Sequence, residues 1–431
     1  MGCTRWTVPI WNRACPTCGA DLLQGEQASF CCNNGRWVAP DLPPLPDSLL
    51  STLQCGPAGR HLSAKSRALN NLFAFTAIGA TQHFHHFETG PASVAITGRT
   101  YHRMFDVTDT THSLHWFLYD GAERQQQGKK YDVPHEWTAA VDAALQEVNP
   151  YLNQLRRFST VPSEEPTALE LSDVSAHGDF AAVLHAANST VIDPRAIVIW
   201  RNHDTRPTFV PIYSRHYEPL QYPVLFPHGS PGWGLKQTAT GRLSNCVPLT
   251  QRQWYRCRLL TDPRFQTFGC LSCEYICDMY SRIEEERLNF IRRSRQNISA
   301  EHLDDDTLDD SENLELLCSF MGSRKWASEQ TADSLVLART YGPPSFFITM
   351  TCNPDWPEIK SRLHPGQHAY EAPIVVARAF KNRLQRLTDI LKTKMGSLMY
   401  IMTSTEFQKR GFPHSHIVVQ VSVFTVVTIW S

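Results

Sequence analysis

Between Phe346 and Val421 the hydropathy pattern passes from strand spacing to helix spacing and back, and this constrains the fold more than any other stretch of the chain. Phe346 to Met350 is an apolar run of strand length. Ile374 to Lys392 carries Val375, Phe380, Leu384, Leu387 and Leu391 at intervals that gather on one face of a helix. Leu398 to Phe407 reads as a second strand. Gln408 to Pro413 then turns, and His414 to Val421 returns as a third strand. A strand, a crossover helix, a strand and an antiparallel partner fit a split β-α-β sheet of ferredoxin-like type.

That stretch accounts for less than a fifth of the chain. With 431 residues, 42% of them hydrophobic and 10% aromatic, the sequence can bury real cores and is long enough for two or three domains. The expected class is α+β. Residues 1–60 form a small zinc-finger-like module closed by the connector Pro40 to Pro46, and 61–160 an α+β region. Residues 190–325 form a mixed helical region, and 326–431 a domain built on the sheet. The polar stretch 159–176 reads as a linker, and Ile197 to Trp200 as a short buried strand. Phe268 to Arg293 reads as a long amphipathic helix with Tyr275, Met279, Ile283, Leu288 and Ile291 on its buried stripe.

Charge excludes one simple answer. Lys+Arg 41 against Asp+Glu 42 leaves a net charge of -1, so nucleic acid would have to be held by a local patch rather than by a global field. No apolar stretch is long enough to span a bilayer and no signal-peptide core opens the chain, so a soluble intracellular protein without a membrane partner is expected. There is no G-x-x-x-x-G-K-[ST] phosphate loop, hence no expected use of ATP, and no G-x-S-x-G nucleophile elbow.

Chemistry concentrates in three places. The odd total of 13 cysteines suits metal binding better than a disulfide framework. Cys15-Pro-Thr-Cys18-Gly19 pairs two thiolates at the spacing of a zinc knuckle, and Cys31 and Cys32 supply at least one more ligand. The fourth could be Cys32, Cys3, Cys55 or a histidine. Cys270, Cys273 and Cys277 sit on the long helix, where core packing is the plainer reading. His414-Ser415-His416 puts two imidazoles on one face of a strand, where they can share a divalent ion. Glu406 could complete a three-ligand site with open positions, provided the hairpin register opposes residues of equal parity. His83-Phe84-His85 has the same spacing without that context. Gln251 to Arg258 interleaves Arg252, Arg256 and Arg258 with Trp254 and Tyr255, a mixture of charge and stacking surface suited to single strands. Lys409 and Arg410 add cations in the turn.

The residues resemble a known family, the replication-initiator-like part of Helitron transposases, or Helitron helicase-like domain. The most specific stretches are Phe347-Ile-Thr-Met-Thr-Cys-Asn-Pro-Asp-Trp-Pro357 and Glu406-Phe-Gln-Lys-Arg-Gly-Phe-Pro-His-Ser-His-Ile417. Leu220 to Pro227, Ile283 to Ile291, and the cysteine motif at Cys15 to Ala20 with Cys31-Cys32 are similar as well.

The resemblance implies a rolling-circle, His-hydrophobe-His endonuclease that nicks and joins single-stranded DNA at transposon ends in the nucleus, with 61–160 a region of DNA-binding type and 326–431 an incomplete endonuclease domain. His414 and His416, with Glu406 as third ligand, would hold Mg or Mn, and Cys15, Cys18, Cys31 and Cys32 a structural zinc. Arg252, Trp254, Arg256, Lys409 and Arg410 would bind DNA. Two departures stand out. Ser415 replaces the hydrophobe between the histidines, and Ile417 to Ser431 contains no tyrosine where the family carries its nucleophile. The expectation is therefore a truncated transposase fragment lacking its catalytic tyrosines and its ATP-dependent helicase, so that no catalytic residue can be named. The alternative is a catalytically dead, zinc-containing DNA-binding remnant of a transposon.

Overall fold

The computed structural model describes residues 8–80, 85–86, 94–95, 100–104, 121–152, 167–171, 181–185, 197–200, 208–237, 243–245, 247–296, 316, 318, 320–408 and 411–422. It is a mixed α/β structure with several small sheets, none of more than three strands among the described residues. A hairpin of β1 (Trp11–Ala14) and β2 (Asp21–Leu23) precedes α1 (Asp47–Gln54) and α2 (Leu62–Asn71). After β3 (Thr100–Met104) come α3 (His135–Val148), α4 (Gln251–Thr261) and the long α5 (Gly269–Gln296). The C-terminal part holds β4 (Phe346–Thr351), α6 (Pro373–Lys394), β5 (Leu398–Phe407) and β6 (Pro413–Val421). The short strand expected at 197–200 is present and pairs with Thr167–Leu171, a strand inside the stretch read as a linker. The acidic run 301–315 and the apolar end 423–431 lie outside the described residues.

The largest core draws on α1 to α5. Leu49 and Leu53 of α1, Leu69 of α2, Trp137 and Val141 of α3, Trp254 of α4 and Tyr275 of α5 join one buried cluster with Phe73, Tyr222, Phe226 and Phe265. Each such side chain withdrawn from water stabilises the fold by roughly 1.5–3 kcal/mol, which drives these helices together. α4 starts where its capping box dictates: Thr250 accepts from the Gln253 backbone N–H, and the Gln253 side chain accepts from the Thr250 N–H.

The buried face of α5 is not the apolar stripe that periodicity predicts. Tyr275 and Met279 are buried as expected, but further along the buried positions are Asp278, Arg282, Glu285 and Asn289, while Ile283, Leu288 and Ile291 are only half-buried. The reason is a network of buried polar and charged groups that partner one another. Arg282, fully buried, donates to Tyr255 Oη, to the Ile212, Ser214 and Trp233 carbonyls and to Glu218, whose carboxylate also accepts from Trp233 N and Tyr275 Oη. Asp278 accepts from Tyr222 Oη at 2.8 Å and pairs with His102 of β3 at 2.8 Å. A charge can sit in a core only when such partners replace its water. Burial pushes the Tyr217, Tyr222 and Tyr275 hydroxyls well above their ordinary range, so they remain donors to these carboxylates.

The C-terminal sheet has the strand order β4-β6-β5, and β6 is antiparallel to both neighbours. β4 and β5 are therefore parallel, α6 is the crossover between them, and β6 enters the gap: the split β-α-β arrangement. Pro373 opens α6 at a position where its missing N–H costs nothing. The predicted inner face is the observed one, with Val375, Phe380 and Leu391 buried, and Leu384 and Leu387 packed beside Ile348, Ile417, Val419 and Val421. Strand alternation then decides the rest. Ser415, Ile417, Val419 and Val421 point toward the helix side, Ser415 bonding Thr405 Oγ1 at 2.6 Å, so His414 and His416 must point to the other face.

Two candidate metal centres

The first centre lies in the N-terminal hairpin. Cys15 follows β1 directly, and the turn after it closes through Gly19 N to Cys15 O at 2.9 Å and Cys15 N to Ala20 O at 2.8 Å, with Gly19 in the left-handed region at φ 71°. A second turn follows Cys32, where Asn33, Asn34 and Gly35 all have positive φ and Gly35 N–H donates to Cys32 Sγ at 3.2 Å. The two turns bring four sulfurs together: Cys15–Cys32 at 3.7 Å, Cys18–Cys31 at 3.3 Å and Cys31–Cys32 at 3.9 Å, all four within 4.8 Å of one another. A tetrahedron with metal–sulfur bonds of about 2.3 Å has edges of about 3.8 Å. A disulfide needs about 2.05 Å, and all four thiols are free. The adjacent cysteines thus both face the cluster, which makes Cys32 the fourth member. Cys55 is exposed at the end of α1, and Cys3 lies outside the described residues.

Electrostatics inside this cluster is uneven. Burial raises the Cys15 thiol, but the backbone N–H groups of Cys18 and Thr17 and the neighbouring thiols outweigh it and bring Cys15 down to about 6. Burial pushes Cys18 and Cys31 up. The Cys15 thiolate forms readily, and Cys18 and Cys31 need a cation beside them. A closed, four-sulfur, largely dry donor set suits a tetrahedral soft ion and leaves no coordination position for a substrate.

The hairpin is also fastened to the C-terminal part. Arg378 of α6 pairs bidentately with Glu26 at 2.9 and 2.6 Å, donates to Asp21 O at 2.6 Å and lies over the Trp11 and Phe30 rings. Asn382 Nδ2 donates to Gln24 O at 2.7 Å, and Trp11 Nε1 to Glu358 O at 2.7 Å.

The second centre is on the exposed face of the sheet. The register answers the parity question left open by the sequence: Glu406 lies directly opposite His414, and Ser404 opposite His416. Glu406, His414 and His416 each offer one ligand atom, all within 4.8 Å of one another. Glu406 Oε1 is 3.5 Å from His416 Nε2, and the imidazoles meet edge to face at 4.7 Å. Across the other edge of β6, Thr351 Oγ1 is 2.8 Å from His414 Nδ1, so the ring is held and its Nε2 left for a ligand. His416 Nδ1 is buried with no hydrogen-bond partner among the described residues. Two imidazoles and a carboxylate on an open face fit a divalent ion that keeps free positions, the opposite of the thiol cluster.

Three neighbours escaped the sequence reading. Thr351 orients His414, Phe347 stacks on His416 at 5.5 Å, and Thr349 lies opposite His416. The signal for all three was present, because residues 347, 349 and 351 share one face of a strand.

The candidates for strand binding disperse. Trp254 is 3% exposed inside the large core with Arg258 over its ring, so no ring face is left for a base. Arg256 donates to Phe30 O and lies over Phe30 and Trp37, a bond between α4 and the N-terminal module. Arg252 is exposed. Lys409, Arg410 and His83 lie outside the described residues. Of the helix cysteines, Cys270 and Cys273 are half-buried but Cys277 is exposed, so core packing accounts for the first two only.

No curated protein matches the chain. No helix among the described residues is long and apolar enough to cross a membrane. Residues 252–419, a span that contains α4 from Arg252, α5, α6, the C-terminal sheet up to Val419 and both histidines, match the family described as "Helitron helicase-like domain at N-terminus", so this part of the chain is similar to the N-terminal region of Helitron transposases.

Proposed function

We propose that the chain is the strand-binding part of a Helitron transposase of the rolling-circle, His-hydrophobe-His type, acting on single-stranded DNA at transposon ends in the nucleus. The C-terminal sheet would be a partial ferredoxin-like endonuclease domain, and the four-thiol module, loaded with zinc, its brace. The observation that carries the reading is the register placing Glu406 opposite His414 with His416 two residues on, inside the family-matched span.

Glu406, His414 and His416 would hold Mg or Mn, which when bound draws charge from the phosphate diester. The residues do the positioning. Thr351 keeps His414 Nδ1 occupied, Glu406 supplies the negative charge that balances a dication, and Thr349 and Ser404, exposed on either side of His416, can donate to phosphate oxygens. In the reaction this reading implies, a tyrosine oxygen gives up its proton and bonds to phosphorus as the 3′ oxygen leaves and takes up a proton, conserving the bond energy in a phosphotyrosine. The sheet's own Tyr400 cannot serve: it is 6% exposed and its hydroxyl donates to Gly342 O at 2.9 Å. That observation favours the second reading, a DNA-binding protein that holds a strand without cutting it.

The test uses the full chain, a labelled single-stranded oligonucleotide, and Mn or a chelator. Binding is expected to require Mn, and His414→Ala or His416→Ala should weaken it at least about tenfold, since each removes one of three ligands. Binding indifferent to Mn and to both substitutions overturns the proposal. A covalent protein–DNA adduct would decide for the complete nuclease, and its absence for the binding reading.

A further inference from the structure

We infer that Phe347 is a stacking platform for one nucleobase of the bound single strand, next to the phosphate held at Glu406, His414 and His416. The inference rests on the proposed single-strand function and adds a residue that the histidine motif does not contain. Phe346 and Phe347 are neighbours in sequence with opposite fates. Phe346 packs into the cluster under α6, whereas Phe347 projects from the other face of β4 and is 66% exposed. Its ring is nearly parallel to that of His416, at 25° and 5.5 Å between centroids. One face of Phe347 is thus taken by an imidazole that faces the metal position, and the rest of the ring is open to solvent. β4 is an edge of the sheet as described, so no further strand of that sheet covers it.

A large exposed aromatic forgoes burial, and its use here is chemical. A nucleotide carries a flat base a few ångströms from a charged phosphate, and this face carries the complements of both: an aromatic plane, and beside it a dication site flanked by the hydroxyls of Thr349 and Ser404. Stacking reads no particular base, so the platform would set the position of the strand rather than its sequence. The occupant is therefore a nucleotide of a single strand, because a paired base has both faces stacked and cannot reach a side chain on a sheet.

A scan of single abasic sites along a short oligonucleotide tests this, read by anisotropy with Mn present. With the unsubstituted chain, one abasic position should cost about tenfold in affinity. Phe347→Ala should cost the same about tenfold on the intact strand and should no longer respond to that abasic position, while Phe347→Trp should retain both affinity and response. Mn affinity, measured without DNA, should be unchanged in both variants. The inference is overturned if Phe347→Ala keeps the same abasic response, or if it loses Mn affinity in proportion to DNA affinity, since the ring then only props His416. If the unsubstituted chain binds no single strand in Mn, the functional proposal falls and this inference with it. If it binds but Phe347→Ala and Phe347→Trp both match it at every abasic position, this inference alone falls.

Discussion

The thiol cluster and the Glu406–His414–His416 face are both candidate metal centres, yet their surroundings differ in every respect that matters for chemistry. The first is made by turns: two left-handed corners fold the chain around four sulfurs, three of them buried, and the module then docks on α6 through Arg378. The second is made by strand register, on a face where Glu406 is 62% and His416 35% exposed. A cluster with four protein donors and little water can only hold the chain together. A set with three donors on an open surface has coordination positions to offer a substrate, and its loss removes nothing from the core. The same comparison separates what each region contributes to the fold: the sheet has its own apolar core away from the histidines, whereas the buried cluster around the thiols is small, Cys15, Ala20, Leu22, Cys31 and Cys32 among the described residues, as in modules that a bound ion stabilises.

The sharpest way to break this contrast is to remove one thiolate. Cys18→Ser, or a strong chelator, should unfold the N-terminal module and lower the stability of the chain by several kcal/mol, on the order of 3 or more. Metal content and thermal melting by circular dichroism check it together. Stability unchanged after the metal is stripped would show that the four thiols are packing rather than ligation.

A smaller effect is expected at the fastening. Arg378→Met keeps the aliphatic stem over Trp11 and Phe30 but leaves the Glu26 carboxylate, 8% exposed, without its partner. Stranding a largely buried charge should cost about 3 kcal/mol, read by urea unfolding. Hydrogen exchange should speed up in β1 and β2 and stay slow in β6, because Ile417 and Val419 are held by α6 and not by the module. Equal acceleration in β6 would mean that the module stabilises the sheet itself.

These regions were also unequally legible in the sequence. The strands at 346–351, 398–407 and 413–421 and the helix between them stand within a residue or two of where periodicity puts them, since each is a run of strand- or helix-spaced apolar residues interrupted by turn residues. What periodicity could not supply is pairing: whether Glu406 opposes His414 depends on the turn between them, and a slip of one residue would send it to the other face. Nor could hydropathy find the buried face of α5, because Arg282 counts as a surface residue until Glu218 and Tyr255, far off in sequence, are in place, and Glu285 and Asn289 count as surface residues although they are buried beside Arg292 of the same helix. Trp254 and Arg256 failed for a related reason. Arginine beside aromatics is the composition of a strand-binding patch and equally of an interior arginine–aromatic stack, and only the tertiary fold tells the two apart.

The finest test of the open centre is Thr351→Val, which keeps the shape of the side chain and removes its oxygen. In the intact chain the Thr351 hydroxyl lies 2.8 Å from His414 Nδ1, which fixes the ring and occupies the nitrogen away from the ligand position. Without that partner the imidazole can turn or change tautomer, so Mn affinity should fall about tenfold, near the lower limit for losing such a supporting bond. Thr351→Ser should restore it. Stability should change by no more than about 0.5 kcal/mol, because position 351 is exposed and its backbone pairing with His414 is untouched. A titration of Mn against each variant, with melting curves alongside, separates the outcomes. Affinity lost without stability marks a surface built for a ligand, while unchanged affinity would mean that strand geometry alone holds His414 and that the open centre needs no support beyond its register.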